Sequence, residues 1–153
     1  MLYIASDHSG FDMKDMIIQK LNEENIEVID ATEKLIEGDD YPDMVKNVCS
    51  RIENKDLAII ICGTGIGSSM AANKIKGIRA AVCHDEYTAK MTRIDNNANV
   101  LCLGARTDYA KDEEKVLKIV KKRKIKKNLA YKEQEQMIQQ LCKKLETKHK
   151  TNQ

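Results

Sequence analysis

The chain has 153 residues, of which 42% are hydrophobic and 33% charged, and its formal net charge is +2. This composition is typical of one soluble globular domain, and no apolar run approaches the roughly 18 to 20 residues that a bilayer-spanning helix needs. The first residues lack a basic region, and Asp7 and His8 follow directly. We therefore expect no signal peptide, a cytoplasmic location and no membrane contact.

The basic residues are concentrated near the end of the chain. Residues 111–150 contain 14 Lys and Arg against 6 Asp and Glu, a net +8, so the remainder carries −6. A basic tail can bind nucleic acid, but these lysines alternate with apolar residues at helical spacing, and few aromatic residues lie among them for base stacking. We interpret the tail as a solvated helix face and predict no nucleic-acid partner.

Apolar segments of strand length alternate with segments of helical periodicity. Strands are predicted at residues 2–6, 26–30, 57–62, 79–82 and 100–103. Helices are predicted at residues 68–74 and 85–93 and from apolar residues at helical spacing: Ile17, Ile18 and Leu21; Val45, Val48, Cys49 and Ile52; Val116, Ile119 and Val120. The alternation with short connections predicts an α/β fold with a five-stranded parallel, doubly wound sheet.

Four apolar residues at helical spacing predict a last helix: Met137, Ile138, Leu141 and Leu145. Since no strand pairs with this helix in the predicted topology, we expect it to pack on a partner subunit. No repeat or linker interrupts the chain. The prediction is a single domain over residues 1–153, with a parallel-sheet core at 1–106 and a basic helical tail at 107–153.

Five cysteines, at positions 49, 62, 83, 102 and 142, form no C-x-x-C pair. Their odd number and wide spacing support neither a disulfide framework nor a cysteine zinc site. The three histidines are dispersed, so we predict no metal site. Four of the cysteines are expected to be small buried hydrophobic residues, whereas Cys62 differs because glycines follow it at once.

Polar segments follow three of the predicted strands. Asp7 and His8 follow the first, Cys62 to Thr64 end the third, and Gly104 to Arg106 follow the fifth. In a parallel doubly wound sheet the carboxyl ends of the strands share one edge, and ligands bind there. We expect the chemistry at this edge.

The segment Gly63-Thr64-Gly65-Ile66-Gly67 links a buried strand to a helix. It is not a dinucleotide fingerprint, because Ser68 replaces the last glycine, and it lacks the lysine of a Walker loop. Alternating glycines allow successive N–H groups to converge on an anion, such as a phosphate or an enediolate oxygen. The alternative interpretation is a tight turn that binds no ligand.

Cys62 stands at the mouth of this segment, where backbone donors and a helix N-terminus favour a reactive thiolate. The alternative is a buried cysteine at a strand end. Asp7 and His8 either contact a substrate or cap the following helix.

Seven segments together resemble the ribose-5-phosphate isomerase B family, which includes the galactose-6-phosphate isomerase subunits. They span residues 2 to about 106 in order: 6–11, 40–43, 61–67, 71–74, 77–80, 96–101 and 104–106. The resemblance implies a Rossmann-like three-layer α/β/α domain, a homodimer or tetramer with shared active sites, and a reaction without metal or organic cofactor.

The resemblance also implies residue roles in the interconversion of ribose 5-phosphate and ribulose 5-phosphate. Cys62 would be the base that moves a proton between C2 and C1 through a cis-enediolate, and Thr64 would assist the oxygen-bound proton. The N–H groups of the glycine segment would hold the enediolate charge. Substrate contacts are expected from Asp7, His8, Gly63, Gly65, Ile66, Gly67, Asn96 (from the neighbouring subunit) and Arg106.

Two departures from the family pattern concern the rest of the site. Asp95 stands where the family has its ring-opening histidine, and an aspartate acts as acid only when protonated. The two phosphate-binding arginines of the family tail are missing. Candidate substitutes are Lys126, Lys127 and Lys132, although lysine lacks the planar fork of arginine.

Three functions are therefore considered: pentose 5-phosphate isomerisation, hexose 6-phosphate isomerisation of the galactose type, and sugar-phosphate binding without turnover. The changes at Asp95 and in the tail favour the last function, whereas the intact segment from Cys62 to Gly67 opposes it.

Overall fold

The structure is a computed structural model that describes residues 1–36, 38, 40–125 and 131–151, with side chains in the last helix at 136–147. The strands are β1 (Leu2–Ser6), β2 (Ile29–Asp30), β3 (Leu57–Cys62), β4 (Ala80–Val82) and β5 (Val100–Gly104). The helices are α1 (Phe11–Glu23), α2 (Tyr41–Cys49), α3 (Ile66–Ala72), α4 (Glu86–Ile94), α5 (Glu113–Lys121) and α6 (Tyr131–Thr151). Short 3₁₀ turns lie at His8–Gly10, Asp108–Lys111 and Lys122–Lys124.

The five strands form one parallel sheet in the order β2-β1-β3-β5-β4. The central strand β3 is apolar throughout, because a strand covered on both faces has no polar side. It pairs with β1 from Leu57 to Ile61 and with β5 from Ala58 to Cys62. The predicted five-stranded parallel sheet and Rossmann-like α/β fold are confirmed.

Helices cover both faces of the sheet. Ile59 and Ile61 point into a core shared with α1, α4 and α5. Their neighbours Ala58 and Ile60 point into a second core shared with α2 and α3. This division follows from the alternation of side chains along a strand, and it produces three layers.

The bounds of three predicted elements, β2, α2 and α3, differ from the structure by two residues or more. β2 contains only Ile29 and Asp30, because it pairs with only two residues of β1; Ile26 and Val28 instead pack against the first core. α2 ends at Cys49, and Ile52 packs on the second core from the following loop. α3 begins at Ile66, two residues earlier than predicted, so the end of the glycine segment is helical.

α6 exposes its apolar residues in the described chain. Met137, Ile138, Leu141 and Leu145 are 69%, 43%, 57% and 49% exposed. Cys142 on the same helix is also exposed, so its predicted burial was wrong for this chain taken alone. Packing of α6 on a partner stays a prediction. Among the helices described, none has the length and apolar character that crossing a membrane requires.

Candidate active site

Hydrogen bonds between backbones bring the ends of β1, β3 and β5 to one edge. The N–H of Asp7 donates to the carbonyl of Ile61 at 3.2 Å, and the N–H of Ala105 donates to the carbonyl of Cys62 at 2.8 Å. The N–H of Arg106 donates to the carbonyl of Gly63 at 2.9 Å. The three polar segments therefore meet at the carboxyl edge of the sheet.

Cys62 is the last residue of β3 and is 3% exposed. The chain turns back on it, so that the N–H of Gly65 donates to the Cys62 Sγ with an N–Sγ distance of 3.2 Å. The sulfur is therefore a hydrogen-bond acceptor enclosed by the glycine segment. The segment wraps around Cys62 and does not simply follow it.

Gly65 and Gly67 are required for different reasons. Gly65 has a φ of +81°, in the left-handed region, and a Cβ there would lie 2.9 Å from the Cγ2 of Val82. Gly67 lies in the first turn of α3, where a Cβ would lie 2.6 Å from the Cζ of Tyr41. Glycine at Gly67 therefore allows the Tyr41 ring to lie against the segment.

Tyr41 is a site residue that the sequence reasoning gave no role. It lies at the start of α2 and is 38% exposed. The available signal was the glycine at position 67, because glycine within a helix destabilises it and usually marks a close approach of another group. The identity of that group required the structure.

Thr64 and the backbone donors of the segment differ from the simple anion nest that we expected. The N–H of Ile66 donates to the Oγ1 of Thr64 at 3.2 Å, as the N–H of Gly65 donates to Cys62. Two N–H groups of the segment thus have partners inside the segment. Because the Thr64 oxygen accepts a bond, its own O–H proton is available to a ligand.

Asp7 caps the turn that leads into α1. It is 6% exposed, and its Oδ1 accepts hydrogen bonds from the Ser9 N–H at 3.0 Å, the Ser9 Oγ at 2.6 Å and the Gly10 N–H at 3.3 Å. One carboxylate oxygen of Asp7, Oδ1, therefore has the capping role that was one of the two predictions for this residue. His8 is exposed at the same turn.

Arg106 lies across Gly63. A Cβ on Gly63 would be 3.7 Å from the Nη1 of Arg106 and 3.9 Å from the Oγ of Ser9. The guanidinium, the glycine segment and the Asp7 turn are therefore neighbours. A cation beside backbone donors at a sheet edge is the usual environment of a bound phosphate.

Tyr109 forms a hydrogen bond with the end of β5 at this edge. The N–H of Gly104 donates to the Tyr109 Oη at 2.7 Å, and burial raises the pKa of the Tyr109 hydroxyl. A Cβ on Gly104 would lie 2.6 Å from the carbonyl oxygen of Thr64. Gly104 thus allows the end of β5 to pack directly against the glycine segment.

Asp95 and Asn96 lie at the opposite edge of the sheet. Asp95 follows the last residue of α4, and Arg79, just before β4, donates from its Nε to the Asn96 carbonyl at 2.7 Å. Both residues precede β5, which rises about 13 Å from Val100 to Gly104 at about 3.3 Å per residue. One protomer does not bring this pair to its own Cys62.

The proposed lysine substitutes are not tested by the structure. Lys126 and Lys127 lie outside the described residues, and for Lys132 only the helical backbone is described. In the part of the chain that is described, no three His, Cys, Asp or Glu side chains are grouped as a metal site requires. The absence of a cofactor stays a prediction.

Comparison with known proteins gives a consistent result. The family model described as Ribose/Galactose Isomerase matches residues 2–141. The probable ribose-5-phosphate isomerase B of Mycoplasma genitalium is 42% identical over 119 residues, which are 75% of this chain and 77% of the relative. The putative sugar phosphate isomerase YwlF of Bacillus subtilis is 44% identical over 106 residues, 67% of this chain and 71% of the relative.

Solved structures agree with the sequence comparison. Ribose-5-phosphate isomerase B of Clostridium thermocellum superposes with a TM-score of 0.83 at 37% identity, covering 94% of this chain and 98% of that one. The Mycoplasma genitalium enzyme with bound ribulose-5-phosphate has a TM-score of 0.77 at 35% identity, covering 95% and 96%. The chain therefore belongs to the ribose/galactose isomerase family and is an isomerase of the ribose-5-phosphate isomerase B type.

Proposed function

We propose that the chain interconverts ribose 5-phosphate and ribulose 5-phosphate through a cis-enediolate, with Cys62 as the base. The observation that supports this most is the Cys62 sulfur enclosed by the glycine segment, with Arg106 beside Gly63. A base, backbone donors and a cation are thus adjacent. The names of the relatives in M. genitalium and C. thermocellum support the pentose substrate.

The proton transfers follow from this arrangement. The Cys62 thiolate removes the proton from C2 of the open-chain aldose, leaving an enediolate, and returns it to C1. The hydroxyl of Thr64 moves the second proton between the two oxygens, O1 and O2. The N–H groups of the segment other than those of Gly65 and Ile66, which donate to Cys62 and Thr64, stabilise the negative charge while it exists. The reaction conserves atoms and electrons and uses no metal or organic cofactor.

Substrate contacts are assigned by position at the same edge. The Oδ1 of Asp7 already accepts three hydrogen bonds, so its contact with the sugar hydroxyls uses Oδ2. His8 contacts the sugar from the same turn. Arg106 binds the phosphate, because a guanidinium matches two phosphate oxygens at once.

The active protein is a homodimer or a higher assembly of dimers. Asp95 and Asn96 lie about 13 Å from the carboxyl edge along β5, so they serve the site of a neighbouring protomer. Apolar side chains around the glycine segment also lack cover: Ile66, Met70 and Val82 are 49%, 64% and 38% exposed. The exposed apolar residues of α6 supply a second surface for the same partner.

Asp95 of the partner opens the sugar ring in this proposal. It is half-buried at the end of α4. In this role it donates a proton to the ring oxygen as a general acid. Asn96 beside it holds the substrate hydroxyls.

A coupled assay with ribose 5-phosphate tests the proposal. Cys62→Ala is expected to lower kcat by at least about 1000-fold, since no other described residue supplies the base at this position. Cys142→Ala, an exposed cysteine far along α6, is the matched control and should keep full activity. Full activity of Cys62→Ala would contradict the proposed base.

The family description names ribose and galactose together, so the same assay includes hexose 6-phosphates. Turnover only of a hexose 6-phosphate would replace the pentose assignment with the galactose-type alternative. Binding without turnover of either sugar would favour the sugar-phosphate-binding alternative for this chain.

A further inference from the structure

A large open cavity lies at the amino edge of the sheet, opposite Cys62. Its volume is about 880 Å³, within the range of small-molecule sites. Leu57, Arg79 and Asn99 line it, and these residues lie at or just before the first residues of β3, β4 and β5. The proposed isomerase chemistry does not use this cavity.

Cations dominate the described lining. Six basic side chains contribute to it: Lys55, Lys76, Arg79, Arg93, Arg123 and Lys124. The described acids are Glu53 and Asp56, and Asp56 already binds the Met1 ammonium at 2.8 Å and the Glu53 N–H at 3.0 Å. The cavity therefore has a strong excess of positive charge, and a cleft concentrates such a field.

Arg123 carries a buried charge and Arg93 a half-buried one, and among the described residues neither has a carboxylate partner. Arg93 donates from Nε to the Ile125 carbonyl at 3.0 Å and from Nη1 to the Ala98 carbonyl. Arg123 is 6% exposed and donates from Nη1 to the Val120 carbonyl at 3.0 Å, while its buried Nη2 has no hydrogen-bond partner among the described residues. These acceptors are neutral oxygens.

Buried charges are normally paired, because removing a charge from water without compensation is costly. Among the described residues no carboxylate forms an ion pair with either guanidinium. Burial lowers the pKa of both groups, and Glu24 opposes this only in part at Arg123. The pair therefore lacks a counter-ion in the described chain.

We propose that this amino-edge cavity binds a small polyphosphate-class anion, held by exposed lysines at its rim and by the arginines at its floor. A polyphosphate fits better than a single phosphate, since six cations exceed the charge of one phosphate group. Guanidinium forks also match phosphate oxygens. The inference rests on the cavity and not on the proposed isomerase reaction.

Titration calorimetry with pyrophosphate tests the site at low salt. The measurements use full-length protein carrying Arg106→Gln, which removes the expected phosphate contact at the carboxyl edge. Pyrophosphate is expected to bind saturably, and a further Lys55→Gln/Lys76→Gln pair should weaken the affinity about tenfold, because it removes two exposed cations from the cavity. Both lysines are exposed at the rim, so the variant should fold.

The matched control is Lys46→Gln/Lys90→Gln, which removes two exposed lysines outside the cavity and should leave the affinity unchanged. Equal weakening by the two pairs, or no saturable binding, would overturn the proposal. Orthophosphate is expected to bind at least about tenfold more weakly than pyrophosphate, and equal affinity would contradict the polyphosphate class. No turnover is measured, so failure of the isomerase proposal would leave these results unaffected.

Discussion

The two edges of the sheet differ in how complete they are within one protomer. At the carboxyl edge the residues around Cys62 bind one another, through the Gly65 N–H, the Asp7 cap and the Arg106 backbone. At the amino edge, backbone groups of the 95–98 loop are held by Arg79 and Arg93. The Asn96 side chain is exposed there. Under the proposed function, the carboxyl edge receives the substrate and the 95–96 segment at the amino edge completes the site of a neighbouring protomer.

Mixed dimers give the largest expected effect. A chain with Cys62→Ala and a chain with Asp95→Ala/Asn96→Ala should each retain less than about 1% of wild-type activity, because each lacks an acid–base group. Co-expressed at equal amounts, half of the dimers combine the two chains, and each of these has one intact site. About a quarter of wild-type activity should therefore return.

In the control, both co-expressed chains carry Cys62→Ala. A Cys62→Ala chain co-expressed with a Cys62→Ala/Asp95→Ala chain contains no intact site and should stay inactive. If the mixed dimers of the main experiment also stay inactive although they form, then Asp95 and Asn96 act within their own protomer.

Two glycines with the same backbone conformation allow the loss of folding stability caused by a positive φ to be distinguished from a loss of catalytic activity. Gly65 and Gly77 have φ of +81° and +83°, but a Cβ at Gly65 would contact Val82 and Leu103, whereas nothing lies within 4 Å at Gly77. Both alanine variants should lose about 1 kcal/mol of stability through the positive φ, and Gly65→Ala should lose more, because its Cβ would lie 2.9 Å from Val82 Cγ2 and 3.0 Å from the backbone of Leu103. Gly65→Ala should also lower kcat about 100-fold, since displacement near reacting groups is costly.

Urea unfolding and the coupled assay provide the two measurements. Equal kcat values for Gly65→Ala and Gly77→Ala would mean that the position of the segment around Cys62 does not matter for turnover. That result would contradict the proposal that the glycine segment holds Cys62 in position as the base.

The sequence was informative where structure depends on local pattern. The apolar run of β3 and the alternation of strands with helices predicted the sheet, and the glycines after Cys62 marked the segment that turns back on its sulfur. Contacts between distant segments were not predictable. The Tyr41 ring against Gly67 is one example, and the hydrogen bond from Arg93 Nε to the Ile125 carbonyl is another, because no local pattern specifies which residues meet across a fold.

Boundaries failed for a related reason. β2 is short because only Ile29 and Asp30 pair with β1 at the edge of the sheet, and the apolar sequence from Ile26 to Asp30 does not specify where that pairing begins. The departure at Asp95 was visible in the sequence, but its distance from Cys62 depends on the direction of α4 and the length of β5. Only the topology places it at the other edge.

Tyr109→Phe tests whether the Tyr109 hydroxyl stabilises the carboxyl edge, and it should lower the free energy of unfolding by about 1–3 kcal/mol. The substitution removes the acceptor of the buried Gly104 N–H, and an unsatisfied buried donor has a cost of this size. Tyr87→Phe is the control, because Tyr87 is 70% exposed and its variant should change stability by less than about 0.5 kcal/mol. Equal midpoints of thermal unfolding would show that the Gly104 bond adds nothing to the edge.

The smallest expected effect is a loss of stability in alkali, which compares buried thiols at the two edges. Cys83 follows β4 at the carboxyl edge and Cys49 ends α2 at the amino edge, and burial raises the pKa of each to about 11 from 9.0. Between these values the unfolded chain has released a proton that the folded chain keeps. The free energy of unfolding should therefore be unaffected by these thiols below pH 9 and fall as pH rises towards about 11.

Because lysines and tyrosines also titrate in this range, the informative quantity is the difference between variants in urea unfolding. Cys49→Ala and Cys83→Ala should each flatten the decline, whereas the exposed Cys142→Ala should leave its slope unchanged. A slope that only Cys83→Ala reduces would indicate that the amino edge opens to water before the thiol titrates. The amino edge, which is proposed to bind an anion, would then open more readily than the carboxyl edge. Pyrophosphate binds the folded chain, so adding it should restore the effect of Cys49→Ala on the slope.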